Sequence, residues 1–216
     1  MYDGVIFDKD GVLLDSSIDG FEWFDRARVE EAKKRGHELT VEEAKSIIKA
    51  GTVEELQAIK EEKGFSWEEL SEIERAISER KNQRIRKGEI DLFPGTEKVL
   101  EESEVAKAVV SNAPWHTTSF VIEHFGLESH FAHVESPSLN DIREYVRRKK
   151  PNPVMVENAL AEMEAEKVVM VGDSSDDIQV AENAGIDSCL VNGRDYSGPE
   201  PDHRLNSLED ILDLIS

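Results

Sequence analysis

Two apolar runs that each break off at an aspartate constrain the fold of this chain more than any other feature. The first covers residues 2–7 and ends at Asp8; the second, Val168-Val169-Met170-Val171, runs into Gly172-Asp173. Runs this short and this apolar suit strands buried on both faces, the condition of a parallel sheet covered by helices. A third run at 105–110 stops at Ser111-Asn112, and a fourth occupies 188–191. Between and after them the pattern predicts helices near 95–103, 116–125, 153–163 and 175–184, a short strand near 131–135, and a closing helix over 207–215. Strands alternating with helices predict an α/β fold with a doubly wound parallel sheet. Ligands of such sheets bind at the carboxyl ends of the strands, so residues directly after each run are the first candidates for chemistry.

The stretch from about Ser17 to Gly88 breaks this alternation. It is highly charged, contains no Pro, and holds three S/T-x-x-E patterns: Thr40 with Glu43, Thr52 with Glu55, and Ser66 with Glu69. That pattern starts helices, and Gly36, Gly51 and Gly64 stand where the preceding helices would stop. Four helices are expected, near 18–35, 41–50, 53–63 and 67–87, with Trp23, Phe24, Phe65 and Trp67 in their core. The expected organisation is an α/β core of residues 1–16 and 92–216 with a small helical domain, 17–91, inserted after the first strand.

Charge narrows the range of partners. Lys and Arg total 26 against 47 Asp and Glu, a formal net charge of −21. A surface this negative repels nucleic-acid phosphates and anionic membranes, so neither is expected as a partner. It suits a salt-adapted protein or an ordinary acidic enzyme with solvated helix faces. Disorder is not expected, because dense apolar runs recur along the chain. The single Cys189 offers neither an internal disulfide nor a metal cluster. No apolar run reaches the ~18 residues of a membrane span, and the N-terminus lacks a basic-then-apolar signal, so a soluble, cytoplasmic protein is expected.

Four short segments carry candidate chemistry, each with an ordinary structural reading beside it. Asp8-Lys9-Asp10-Gly11 puts two carboxylates beyond the first strand; they repel each other unless a cation or a shared proton intervenes, although a polar Asp-Gly turn has the same spelling. Ser111-Asn112 precedes a helix start, where anions bind and where Ser and Asn are also common caps. Arg147-Arg148-Lys149-Lys150-Pro151 is a dense basic run in a very acidic chain, either an anion site or a solvated charge run. Gly172-Asp173-Ser174-Ser175-Asp176-Asp177 places three carboxylates at a strand-to-helix turn, suited to a hard cation such as magnesium or to helix capping. His116, His124, His130 and His133 show no zinc spacing. Trp115 and Cys189 read as packing residues.

In their order along the chain these segments resemble the haloacid dehalogenase-like (HAD) superfamily of phosphohydrolases. The match comprises DKDGVLLD at 8–15, SN at 111–112, KPNP at 150–153 and GDSSDDI at 172–178, with FPG at 93–95 similar to that family's return into the core. The resemblance implies a Rossmann-type core with a small α-helical cap at 17–91. It implies that Asp8 is the nucleophile, forming an aspartyl-phosphate, and that Asp10 protonates the leaving oxygen and then deprotonates water. It further implies Mg2+ held by Asp8, the backbone carbonyl of Asp10 and Asp173, with Asp177 and Asp176 behind them. Ser111 and Lys150 would clamp the phosphate oxygens with Asn112 in support; Lys149 is the neighbouring alternative, and the Lys-Pro match favours Lys150. The implied substrate is a small phosphorylated metabolite, a phosphomonoester resembling phosphoglycolate or a sugar phosphate. Asp10 argues against dehalogenation, since dehalogenating relatives lack that second Asp. A phosphosugar mutase and a catalytically silent phosphate-binding member share the motifs and stand as the alternatives.

Overall fold

Odd and even positions of the apolar runs face opposite ways, and each side has found its own layer of helices. The computed structural model of the chain describes residues 1–17, 22–193 and 196–215. The chain enters through β1 (Gly4–Phe7) and β2 (Leu14–Asp15), then forms α1 (Glu22–Lys34), α2 (Val41–Lys49), α3 (Val53–Lys63) and α4 (Trp67–Arg86). It returns through β3 (Asp91–Leu92), α5 (Thr96–Glu102), β4 (Ala106–Val110), α6 (Trp115–His124) and β5 (His133–Glu135). It continues with α7 (Ile142–Arg148), α8 (Val154–Glu162), β6 (Val168–Gly172), α9 (Ser175–Ala184), β7 (Asp187–Leu190) and β8 (His203–Arg204).

Six strands pair in the order β5-β4-β1-β6-β7-β8, all parallel. On one face Val5, Phe7, Val109, Val169 and Val171 pack with Val99, Ile122 and Ile211. On the other Ile6, Ala108, Val110 and Met170 pack with Met155, Ala159 and Val180. The sheet is therefore covered on both sides, as its uninterrupted apolar strands require. The chain steps from β1 outward to β4 and β5, then crosses back to β6, β7 and β8. That reversal at β1 opens a crevice at the carboxyl ends of the strands.

The inserted helices begin as their spelling predicts. Thr40 and Ser66 form complete capping boxes with Glu43 and Glu69. Thr52 accepts from the Glu55 backbone, while the Glu55 carboxylate turns to the Gly51 N–H (2.8 Å). Gly64 ends α3 in the left-handed conformation, whereas α2 closes at Ala50, one residue before Gly51. The four helices do not close a core on themselves alone: Leu56, Leu70, Ile73 and Ile77 pack with Ile142, Tyr145 and Val146 of α7. Antiparallel pairing of β2 with β3 ties the exit from the sheet layer to the re-entry.

One expectation lies outside the described residues, one changes, and one element is new. The start of the first inserted helix near 18 lies outside the described residues; α1 is described from Glu22. The closing segment is a 3₁₀ helix, Leu208–Asp213, not an α-helix. The basic run at 147–150 straddles the end of α7, a seven-residue helix whose single apolar turn, Ile142, Tyr145 and Val146, is too short to stand out in the sequence.

Candidate active site

Asp8, Ser111 and Asp173 follow β1, β4 and β6, three neighbouring strands of the sheet. Asp8 still donates its N–H to the Val171 carbonyl (2.8 Å), so the ladder itself fixes where its side chain emerges. Asp8, Asp173 and Asp177 present carboxylate oxygens within 4.8 Å of one another. Lys150 reaches the cluster from 27 residues before Asp177 in sequence; its ammonium lies 2.7 Å from Asp8 Oδ1, 2.5 Å from Asp177 Oδ1 and 3.0 Å from the Val110 carbonyl. Lys149 points elsewhere, donating to the Ile48 carbonyl of α2 (3.0 Å). The structure thus separates the two lysines that the sequence leaves open.

Asn112 holds Lys150 in place. Its amide oxygen accepts from the Lys150 N–H (2.6 Å) and its amide nitrogen donates to the Lys150 carbonyl (3.2 Å). Both ends of the amide bond the Lys150 backbone, a contact that suits the supporting role expected of Asn112 beside Ser111 and Lys150. Ser111 is buried and its Oγ accepts from the Ala113 N–H (3.1 Å), leaving the hydroxyl proton to donate. Asp177 both caps α9, accepting from the Ser174 N–H and Oγ, and orients Lys150. Asp176, expected behind the metal ligands, is exposed on the first turn of α9.

Two glycines make this packing possible. Gly11 has φ +89°, and a Cβ there would run into the Asp173 carboxylate. A Cβ on Gly172 would meet the Asp177 side chain. The Gly in each motif is therefore room for a carboxylate as much as a turn.

Asp10 turns its side chain away from that cluster. Lys9 donates to Oδ2 (2.8 Å), Ser16 to Oδ1 (3.0 Å), and Lys81 of α4 pairs with Oδ1 as well. Burial alone would raise this carboxyl, but the Lys81 and Lys9 ammonium groups outweigh it and hold it well below the usual carboxylate range. Lys81 is in turn pushed down to about 8, chiefly by burial and against the pull of Asp10. Neither lysine was singled out from sequence. Lys9 looks like a solvated loop residue, and Lys81 is one of five basic residues in the polar stretch ERKNQRIRK, which marks no one position.

The carboxylate cluster is short of positive charge. Asp173 has no hydrogen bond or ion pair among the described residues, and its carboxyl is pushed up to about 8 by burial and by the facing Asp8 and Asp177. Asp8 is raised to about 6, again by burial first, with Lys150 opposing and Asp177 and Asp10 adding. Three carboxylates against one ammonium, one of them without a donor, form the hard-oxygen set that a magnesium ion takes. The residues present therefore fit the cation.

Beside Asp10 a cavity of about 430 Å³ opens between the inserted helices and the α/β layers. Its walls include Phe24, Arg28, Glu74, Lys81, Asn112 and Tyr145. Arg28 is locked by a two-pronged pair with Glu74 (2.7 and 3.0 Å) and by Asp25 (3.0 Å), all three buried. Tyr145 donates to the Asn112 carbonyl (2.8 Å). This group escaped the sequence reading because its members belong to three different helices, one of them the unexpected α7. Trp115, read as a packing residue, is 45% exposed. Phe65 is buried in the core of the inserted helices, and Cys189 is buried in the sheet.

Strand order, switch point and acidic cluster together describe a doubly wound α/β protein with its candidate site at the carboxyl ends of β1, β4 and β6. The chain belongs to the haloacid dehalogenase-like hydrolase family, whose model matches residues 5–191. Among curated proteins it is 34% identical over 127 residues to pyrophosphatase PpaX of Halalkalibacterium halodurans, covering 56% of each chain. It is 32% identical over 136 residues to a phosphoglycolate phosphatase of Vibrio parahaemolyticus, covering 58% of this chain and 57% of that one. The alignments thus span a little over half the length of these relatives. Among solved structures, CbbY of Rhodobacter sphaeroides in complex with phosphate superposes with a TM-score of 0.75 at 22% identity, covering 98% of this chain and 96% of that one. At that identity the likeness shows the fold.

Proposed function

We propose that this protein is a magnesium-dependent phosphatase acting on a small phosphomonoester. The observation that carries this reading is the uncompensated Asp173 beside Asp8 and Lys150, a half-buried carboxylate with no donor among the described residues, facing a second carboxylate that an ammonium already holds. Asp8, Asp173 and the backbone carbonyl of Asp10 would hold the metal, with Asp177 behind them. The cation supplies the positive charge that lets a carboxylate approach a phosphate.

Asp8 attacks phosphorus, giving an aspartyl-phosphate that splits one hard displacement into two easier ones. Lys150 and Ser111 hold the non-bridging oxygens, Lys150 as a point charge anchored by Asn112. Asp10, ionised at rest between Lys9 and Lys81, relays a proton to the leaving oxygen from the Lys81 ammonium, which is pushed down to about 8, and later takes one from water. The leaving group occupies the cavity lined by Phe24, Arg28 and Lys81, under inserted helices that act as a cap and exclude water. Relatives named phosphoglycolate phosphatase support a phosphoglycolate- or sugar-phosphate-like substrate.

The direct test is hydrolysis of an aryl phosphate with and without magnesium, followed by a panel of phosphorylated metabolites. Turnover is expected only with the metal; equal rates after chelation would remove the cation from the reading. Magnesium should also raise Tm by mass action, on the order of 5–10 °C at about 100 times Kd for a chain of this size. Asp173→Ala should lose most of that rise. An equal rise in both proteins, at matched ionic strength, would mean that screening of the −21 charge is responsible instead.

A further inference from the structure

The buried cations that line the cavity beside Asp10 are already spent on carboxylates of the chain itself. Arg28 gives two prongs to Glu74 (2.7 and 3.0 Å) and a third contact to Asp25 (3.0 Å), and all three residues line the space. Lys81 is held by Asp10, and Lys45 by Glu42 (3.1 Å). Lys49 is the one cation of this wall with no ion pair among the described residues, and it is exposed. An anionic leaving group buried here would therefore meet no unspent cation among the described buried residues, and a charge buried without a partner is costly.

What the wall does offer is acceptors. Asp25 Oδ1 takes the contact from Arg28, whereas Oδ2 accepts nothing among the described residues. The Asp25 side chain is also the most open of the trio, 11% exposed against 6% for Glu74 and 5% for Arg28. Tyr145 has given its hydroxyl proton to the Asn112 carbonyl (2.8 Å), and Ser78 has given its own to the Glu74 carbonyl (2.8 Å), so both oxygens are left to accept. An open carboxylate oxygen takes a hydrogen bond from a hydroxyl and repels another carboxylate or a phosphate. Phe24, Ile48, Ile77 and Pro114 add apolar surface to the same wall.

We infer that the group released from phosphate is a neutral chain bearing hydroxyls, a polyol or a sugar, and that Asp25 selects it over leaving groups that carry a carboxylate or a second phosphate. This deepens the proposed phosphatase function and rests on it. A hydroxyl of the substrate donates to Asp25 Oδ2 while its C–H face packs on the apolar wall. An ammonium in that place is opposed by Lys81, Lys45 and Lys49, which border the same space. At about 430 Å³ the cavity lies toward the small end of ligand sites, ~300–1,000 Å³, with room for a few carbons up to a sugar.

The test is kcat/KM with magnesium on 2-hydroxyethyl phosphate, phosphoglycolate and phosphoethanolamine, which have equal length and end in a hydroxyl, a carboxylate and an ammonium. Glycerol 3-phosphate against 3-phosphoglycerate repeats the comparison one carbon longer. The hydroxyl-ended member should lead by about tenfold or more in both series. At matched ionic strength Asp25→Asn should shrink its lead over the carboxylate about threefold or more, whereas general repulsion by the −21 charge would leave that lead unchanged. A smaller wild-type lead, or a lead of the carboxylate or the ammonium, overturns the inference. So does a lead that Asp25→Asn leaves unchanged, or a loss parallel on every substrate, the mark of a residue that only holds Arg28. Hydrolysis of an aryl phosphate reads the phosphatase on its own. Activity there without a hydroxyl preference overturns the selection alone, and no activity on any substrate overturns both.

Discussion

Replacing Lys150 by methionine should destabilise the metal-free protein by about 3–5 kcal/mol, the usual cost of stripping the partner from a buried charge. Lys150 is 2% exposed and is the ammonium that bonds both Asp8 and Asp177; its removal leaves Asp8, the Oδ1 of Asp177 and the Val110 carbonyl without that donor, while Ser174 still serves Asp177 Oδ2. Burial lowers a lysine, yet Asp177 and Asp8 more than reverse this and hold Lys150 above its ordinary range, so its charge is kept throughout neutral pH. Denaturant unfolding should show the midpoint falling with an unchanged slope. Lys149→Met is the matched control. That side chain gives a single hydrogen bond to the Ile48 carbonyl, worth ~1 kcal/mol, and it touches no catalytic group. Equal losses in the two variants would show that Lys150 does not neutralise the cluster.

Why the sequence favoured Lys150 over its neighbour only by motif, while the structure separates them by contacts, follows from how each side chain is aimed. The direction is set by Asn112, which grips the Lys150 backbone from both sides across 38 residues of sequence. Nothing local to the basic run encodes that grip. The strands and capped helices were legible because their signals are local: an apolar run, a Ser or Thr three residues before a Glu, a Gly where a helix stops. Asp8, Asp10, Ser111 and Asp173 were legible for a related reason, since each directly follows a strand or lies within the turn after it.

The cavity side of the site was not legible. Lys81 meets Asp10 across 71 residues, and Arg28 meets Glu74 across 46. The first joins α4 to the loop after β1 and the second joins α1 to α4, and no spacing along one helix announces either. Asp176 shows the opposite failure. Its spelling is as acidic as that of Asp177, but one step around α9 carries it from the cluster to solvent.

Asp8→Asn should abolish turnover while leaving the fold intact, and the reasons for both halves lie in the same contacts. An amide is a poor nucleophile, so kcat on an aryl phosphate should fall by on the order of 10,000-fold or more, as when the nucleophile of a covalent mechanism is removed. The Asn oxygen can still accept from Lys150, 2.7 Å away in the wild type. The variant also removes one negative charge from a cluster whose mutual repulsion already pushes Asp173 up to about 8. Metal-free stability should therefore stay within ~1 kcal/mol of wild type or rise. Asp10→Asn separates the two aspartates. It leaves the nucleophile in place and removes a proton carrier, so it should slow alkyl phosphates far more than an aryl phosphate, whose leaving group hardly needs the proton. Retained turnover in Asp8→Asn would exclude Asp8 as the nucleophile. A parallel loss on both substrate types in Asp10→Asn would point to a positioning role through Lys9 and Lys81 in place of proton transfer.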